Sequence, residues 1–323
     1  ILGKEKQLTL IDQADRTVTV NMPVEKVVTL TPEASRLMVA LGAVDRLVGI
    51  EQWSLKNDWS FTKFLEIHPE VSERVADIGM YNDLNLEEIV YLKPDVIFHS
   101  SQEDANIVQE KTTSPVIVVC SNFRRERVID EIEIMGKLVD NEKKAEELIS
   151  YINEKIAEVT DVTSEIPDEE KVKVYLAFWS SITKTPAYYD PVDLAGGINV
   201  AKECPTSGYS VEISKEQIVA WNPDIILIHH ASTTYGIPKE DILSDPALQT
   251  VNAVKTGKVY YTPGPWFWWE QPRAITECFY LAKLFYPDKF EELNVEEEGN
   301  EIFEKFWGID GLWTELGTEL GYI

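Results

Sequence analysis

Residues 87–97 read Glu-Glu-Ile-Val-Tyr-Leu-Lys-Pro-Asp-Val-Ile, and residues 216–226 read Glu-Gln-Ile-Val-Ala-Trp-Asn-Pro-Asp-Ile-Ile. The second copy begins 129 residues after the first and keeps its register throughout. Each copy predicts a short helix that stops at Pro-Asp and feeds an apolar strand, because proline cannot continue a helix. Asn85 and Ser214 stand as caps, with Glu88 and Gln217 three positions on, which is capping-box spacing. A supersecondary unit repeated at this distance points to two similar lobes rather than a single sheet. The length of 323 residues agrees, at roughly 150 residues per domain.

The surrounding pattern is α/β. Residues 7–20 alternate apolar and polar around Ala14-Asp15-Arg16 and predict a β-hairpin. Residues 24–30 form a short buried strand. Ala34, Leu37, Met38 and Leu41 have helical spacing, with Gly42 at the stop position. Further apolar strands come at 94–99, 114–120 and 171–180. Strands alternating with helices mean mostly parallel sheets, one per lobe. Residues 125–163 contain no proline and only Gly136. Their apolar face (Ile129, Ile132, Met135, Leu138, Ala145, Leu148, Ile152, Ile156) predicts one long bridging helix, bent near Asp140-Asn141. The expected organisation is therefore a lobe at 1–124, a bridging helix at 125–163 and a second lobe at 164–323. Glu291–Glu304, with Ile302, Phe303 and Phe306 interleaved, predicts a terminal amphipathic helix.

Ligands of open α/β sheets bind at the carboxyl ends of the strands. The expected site is a cleft between the lobes, lined by the residues at and just beyond each strand's end. In the first lobe that gives Thr31-Pro32-Glu33, Glu51, Trp53, Met80, Tyr81 and His99. In the second it gives Phe178, Trp179, Tyr188, Tyr189, Tyr209, His229, His230, Trp266, Phe267, Trp268 and Trp269. Four consecutive aromatics after Pro265 cannot all enter a core from a loop, and leaving them bare invites aggregation unless a ligand or partner covers them. Packing between the lobes is the alternative. Among the histidines, His99 and the His229-His230 pair end corresponding strands and are candidate metal contacts; a hydrogen-bonded structural role is the alternative. His68, ahead of Pro69, is expected to be exposed.

Charge and motifs exclude several functions. There are 30 Lys and Arg against 56 Asp and Glu, a net charge of −26. Such a chain is a poor nucleic-acid binder and a poor ligand for anionic lipid. Three scattered cysteines (Cys120, Cys204, Cys278) exclude a disulfide scaffold and a Cys-type zinc site, and are expected to be buried thiols rather than a disulfide. There is no G-x-S-x-G, H-E-x-x-H, P-loop or G-x-G-x-x-G segment, and the chain is not read as an enzyme. No apolar run approaches the length of a membrane helix. The chain opens at Ile1 without a basic-then-apolar leader, which fits a processed or trimmed chain.

Five stretches carry a resemblance: VVTLTPEASRLMVALGAVDRLVGI, LNLEEIVYLKPDVIF, ISKEQIVAWNPDIILI, LSDPALQTVNAVKTGKVYYTPG and QPRAITECFYLAKLFYPDKF. They span nearly the whole chain, which resembles the solute-binding proteins of ABC importers for ferric siderophores, haem and cobalamin. The resemblance implies two α/β lobes bridged by one long helix, an extracytoplasmic location (periplasmic or lipid-anchored) and a monomer that docks on a permease dimer. It also implies that Glu87 and Glu216 meet arginines of the two permease subunits. A glutamate in the first turn also simply favours the helix dipole. The expected cargo is a metal chelate of iron or cobalt, and the protein has no cofactor of its own. Near the strand ends cations are few (Lys184, Arg124, Arg125, and Arg273 bracing its helix), and aromatics outnumber them. That favours a corrinoid, haem or neutral hydroxamate complex held by stacking. Two alternatives stand beside it. One is a free metal or small metal complex held by His99, His229 and His230. The other is a metallocofactor enzyme or scaffold on the same fold, a class that uses cysteine ligands this chain does not cluster.

Overall fold

A computed structural model describes residues 6–56, 65, 68–80, 83–205, 210–229, 236–263 and 270–320. The chain divides into two compact units: residues 1–121 with 125–151, and residues 122–124 with 152–323.

The first unit opens with the predicted hairpin, β1 (Lys6–Ile11) antiparallel to β2 (Thr17–Met22). Asp12 builds its turn: the carboxylate accepts from the N–H groups of Ala14 and Arg16, each at 3.0 Å. Next come β3 (Val27–Thr29), β4 (Leu47–Ile50), β5 (Ala76–Asp77), a small antiparallel pair of β6 (Gly79–Met80) and β7 (Asp83–Leu84), then β8 (Val96–His99) and β9 (Val116–Val118). Five of these form a parallel sheet in the order β5-β4-β3-β8-β9. Its central strands are short and almost wholly buried, as expected where helices cover both faces. Between β3 and β4, the Pro32–Ala40 helix starts on a Thr31 cap, whose hydroxyl accepts from Ala34 N–H at 3.3 Å. It stops where predicted. Gly42 has φ of +68°, its N–H reaches Val39 O, and Ala43 N–H reaches Met38 O, both at 2.8 Å. That bond pair needs a left-handed residue, which glycine adopts without a Cβ penalty.

The second unit contains β10 (Lys173–Ala177), β11 (Lys184–Thr185), β12 (Ile198–Asn199), β13 (Val211–Glu212), β14 (Ile225–His229) and β15 (Val259–Thr262). Four are parallel in the order β12-β10-β14-β15, and β11 pairs with β13 antiparallel. The Gln271–Phe285 helix is buried along most of its length. The predicted acidic amphipathic helix is Val295–Trp307, with Ile302, Phe303, Phe306 and Trp307 buried.

The sequence repeat is a structural repeat. The Leu86–Leu92 helix is capped by Asn85, which accepts from Glu88 N–H at 3.1 Å; the Lys215–Trp221 helix is capped by Ser214, which accepts from Gln217 N–H at 3.2 Å. Both end on a left-handed residue, Lys93 (φ +51°) and Asn222 (φ +47°). The aspartate of each Pro-Asp then ties its strand to a neighbour. Asp95 accepts from Glu25 and Lys26 N–H, each at 2.8 Å, while Asp95 N–H donates to Lys26 O at 2.8 Å. Asp224 accepts from Lys173 N–H at 3.0 Å and donates its own N–H to Lys173 O at 2.8 Å.

Residues 125–163 are two helices, Arg125–Leu138 and Glu142–Thr163, where the pattern predicted one bent helix. Asp140 adopts φ of +54°, Asn141 N–H bonds Gly136 O at 2.9 Å, and Asp140 N–H points to Lys137 O. This closing motif terminates the first helix instead of bending it. Asn141 Nδ2 then donates to Leu41 O at 2.7 Å. A Cβ at Gly136 would stand 2.5 Å from Ala145 Cβ, so glycine lets the two helices meet closely just after the turn. The boundary between the two units falls within the second helix, at Tyr151–Ile152.

Candidate ligand site

The strand ends of the first unit gather buried polar groups. Glu33, Glu51 and His99 lie just beyond β3, β4 and β8, or end them, and all are buried. Glu51 accepts from Ser54 N–H at 2.8 Å and from the Ser54 hydroxyl. His99 is 3% exposed. Its Nδ1 accepts from Ser101 N–H at 3.0 Å, which assigns the proton of the neutral ring to Nε2. Nε2 is buried without a hydrogen-bond partner among the described residues. Burial pushes the imidazolium pKa down to about 4, and nearby Arg16 adds to the shift while Asp104 opposes it. His99 is therefore a neutral donor at physiological pH. A ring in that tautomer presents an N–H at Nε2. Met80 is half-buried on β6.

In the second unit the strand ends carry an aromatic ladder. Phe178, directly after β10, is 1% exposed. Its ring lies 4.5 Å from His229 and meets Phe123 and Trp179 edge-on at 5.7 and 5.8 Å. Phe123 packs on Tyr189 at 5.4 Å. Beyond the ladder, Tyr189 donates to both oxygens of Glu277 at 2.8 Å, and Thr262 at the end of β15 also donates to Glu277. Burial pushes the Glu277 carboxyl up to about 7, against the pull of these hydrogen bonds and of Arg273. Arg273 braces its helix as predicted: Nε lies 3.1 Å from Glu270 Oε2, both side chains buried. Tyr188, 45% exposed, carries the Arg124 guanidinium 5.0 Å from its ring centroid.

Phe178 and His229 are thus buried beneath the surface, while Trp179 is half-buried and Tyr188 exposed. Tyr81, Tyr209, His230, Trp266, Phe267, Trp268 and Trp269 lie outside the described residues, as does the side chain of Trp53 on the Gln52–Lys56 helix. Among the described residues no three His, Cys, Asp or Glu side chains are placed to hold a metal ion. The Glu277 cluster was not anticipated; a glutamate in the apolar run of 274–285 was its signal. Cys120 and Cys278 are buried, as expected, and Cys204 only partly so. His68, expected to be exposed, is half-buried, with Nδ1 3.1 Å from Glu70 Oε1.

Glu87 and Glu216 are both exposed, each in the first turn of its repeat helix. The N–H groups there and the Ser214 hydroxyl hold the Glu216 carboxyl below the usual range. No described helix is long and apolar enough to cross a membrane.

A family model described as periplasmic binding protein matches residues 27–265, about three-quarters of the chain. The chain belongs to the periplasmic binding protein family. Within this family it is 25% identical to the molybdate-binding protein MolA of Haemophilus influenzae, over 92% of this chain and 90% of the relative. It is 24% identical to the petrobactin-binding protein YclQ of Bacillus subtilis, over 80% and 81%. Against the cobalamin-binding protein of Halobacterium salinarum it is 26% identical, over 67% and 57%. The solved structure of H. influenzae MolA bound to molybdate superposes with a TM-score of 0.76 at 21% identity, over 94% of this chain and 98% of that one. Helicobacter pylori CeuE with Ni(II) bound gives 0.74 at 19% identity, over 95% and 98%. The two-unit α/β fold with parallel sheets is that of these binding proteins. The family is one of solute-binding proteins that serve ABC importers.

Proposed function

We propose that this protein captures a metal chelate outside the cytoplasm and delivers it to an ABC importer. The observation that carries the reading is the aromatic edge of the second unit, where half-buried Trp179 meets buried Phe178, Phe178 meets Phe123, Phe123 packs on Tyr189, and the neighbouring Tyr188 is exposed. A rigid apolar platform suits a large, flat, weakly charged complex such as a corrinoid, haem or hydroxamate chelate. Trp266, Phe267, Trp268 and Trp269, outside the described residues, are read as further ligand contacts on the strength of their sequence alone. Glu87 and Glu216 supply the permease contacts, one on each structural repeat.

His99 favours a second reading. A neutral Nε2–H donor suits an oxygen-rich anion better than a bare cation. That makes a small metal oxyanion the competing cargo, in line with the molybdate-binding relative.

Tryptophan fluorescence tests both readings. The protein is titrated with haemin, cobalamin, cobinamide, ferric hydroxamates, ferric catecholates, molybdate, and Zn, Mn and Ni ions. Saturable one-to-one quenching by one chelate class, lost when Trp266, Trp268 and Trp269 are replaced together, supports the chelate reading. Quenching by molybdate alone, lost in His99→Ala, supports the oxyanion. A response only to bare ions overturns both.

A further inference from the structure

The Lys215–Trp221 helix forms one wall of a groove of about 460 Å³ in the second unit. Val200, Pro205, Ile213 and Trp221 supply apolar surface, and Cys204, Ser214 and Gln217 supply small or uncharged polar surface. Glu203 also lines it. Ser214 and Gln217 flank Glu216 in sequence, so the groove opens beside the glutamate assigned to docking.

The charge around this groove has one sign. Lys202 is tied to Asp193 at 2.9 Å, and Lys215 to Asp245 at 2.6 Å. Glu203 and Glu216 are exposed and have no ion pair among the described residues. The groove thus combines a half-apolar slot with two carboxylates that have no ion pair among the described residues. Burial pushes the Cys204 thiol up, so this wall stays uncharged at neutral pH. A small anion finds no cation here. A peptide segment bearing an apolar side chain next to an arginine or lysine matches both features.

We propose that this groove is a second contact for the importer's membrane subunit, receiving an apolar side chain of a segment whose neighbouring cation pairs with Glu216. The assignment rests on the docking role proposed for Glu216. It also distinguishes the two docking edges, because Leu92 stands in the first repeat where Trp221 stands in the second.

Cys204 reports on the groove directly, since Cys120 and Cys278 are buried. The protein is mixed with its permease–ATPase complex in liposomes. Co-sedimentation is measured, and Cys204 is alkylated with N-ethylmaleimide. Saturating transporter is expected to slow alkylation by about tenfold or more, and Cys204→Trp to weaken co-sedimentation by a similar factor. Glu216→Lys is expected to abolish co-sedimentation and restore the alkylation rate. Co-sedimentation that depends on Glu216 but leaves the alkylation rate unchanged overturns the groove and keeps the docking glutamate. Co-sedimentation indifferent to Glu216→Lys, or absent in the unmodified protein, overturns the docking reading and the groove with it. A Cys204→Trp protein that melts early is set aside, and the alkylation rate alone decides.

Discussion

The phenol of Tyr189 bridges both oxygens of Glu277 at 2.8 Å, deep at the strand ends of the second unit. The pair ties the aromatic ladder to the Gln271–Phe285 helix. Removing the donor with Tyr189→Phe leaves a buried carboxylate short of a hydrogen bond, a loss of about 1–3 kcal/mol. Denaturant unfolding at pH 7 measures it, and a loss below the error of the fit contradicts the role given to the pair.

Glu277 also makes a pH prediction. Its folded pKa of about 7 lies above the ordinary 4.5. The folded protein therefore holds a proton that the unfolded chain releases, and stability falls as pH rises from 4.5 to 7. The full span corresponds to about 3 kcal/mol. Glu277→Gln carries no titrating proton there, so its stability relative to the parent is expected to grow with pH across that window. Unfolding curves at pH 4.5, 6 and 8 check the trend; a constant difference refutes it.

His99 works with the opposite slope. Its folded pKa of about 4 lies below the ordinary 6.5, so the unfolded chain takes up a proton first as pH drops. Stability from this group is complete above pH 6.5 and is lost towards pH 4. NMR of the ring nitrogens is expected to show a neutral Nε2–H tautomer at pH 6. An imidazolium at that pH, or a proton on Nδ1, contradicts the donor role.

Much of this fold was legible because local signals agreed with the tertiary outcome. The Asn85 and Ser214 caps, the Gly42 stop and the Pro-Asp turns each act within a few residues, and each appears where the pattern placed it. The break at Asp140 was less legible. An aspartate in the left-handed region, followed by Asn141 reaching Leu41, is stabilised by a contact about a hundred residues away. The site divided the same way. Strand-end positions came from the α/β rule, but burial did not. Phe178 follows β10 and His229 ends β14, as expected; their rings cover each other, and Phe123 packs on Phe178. The partners of Asp95 and Asp224 were hidden because they lie far away in sequence: the N–H groups of Glu25 and Lys26 for Asp95, and Lys173 N–H and the Asn252 amide for Asp224.

Those two aspartates can be tested as a pair. Asp95 takes both N–H groups on one oxygen, so Asn there keeps the acceptor and loses charge assistance, whereas Asp224 accepts on both oxygens, from Lys173 N–H and the Asn252 amide, so Asn there also turns one acceptor into a donor facing a donor. Asp95→Asn and Asp224→Asn are each expected to cost about 1–2 kcal/mol. The sites lie in separate units and share no partner, so the double variant is expected to be additive in any shared unfolding transition. Strong non-additivity contradicts their independence.

Lys155 offers the last test. Its ammonium lies 2.9 Å from Glu298, 3.2 Å from Glu301 and 3.3 Å from Glu158, joining the Glu142–Thr163 helix to Val295–Trp307. Burial works against its charge, yet Glu298 and Glu301 hold its pKa above the usual lysine range. The carboxylates are partly to half exposed, so solvent screens much of the attraction. Lys155→Met keeps the packing of the stem but leaves three carboxylates facing one another. The expected cost is about 1–2 kcal/mol, mostly mutual repulsion. Repulsion between partly exposed charges is screened, so the deficit is expected to shrink between 0.05 and 1 M salt, ionic strengths at which the Debye length falls from more than about 10 Å to about 3 Å. A deficit that does not change with salt assigns the loss to packing and refutes the electrostatic account. Lys155→Arg, which keeps the charge, is expected to recover most of the stability.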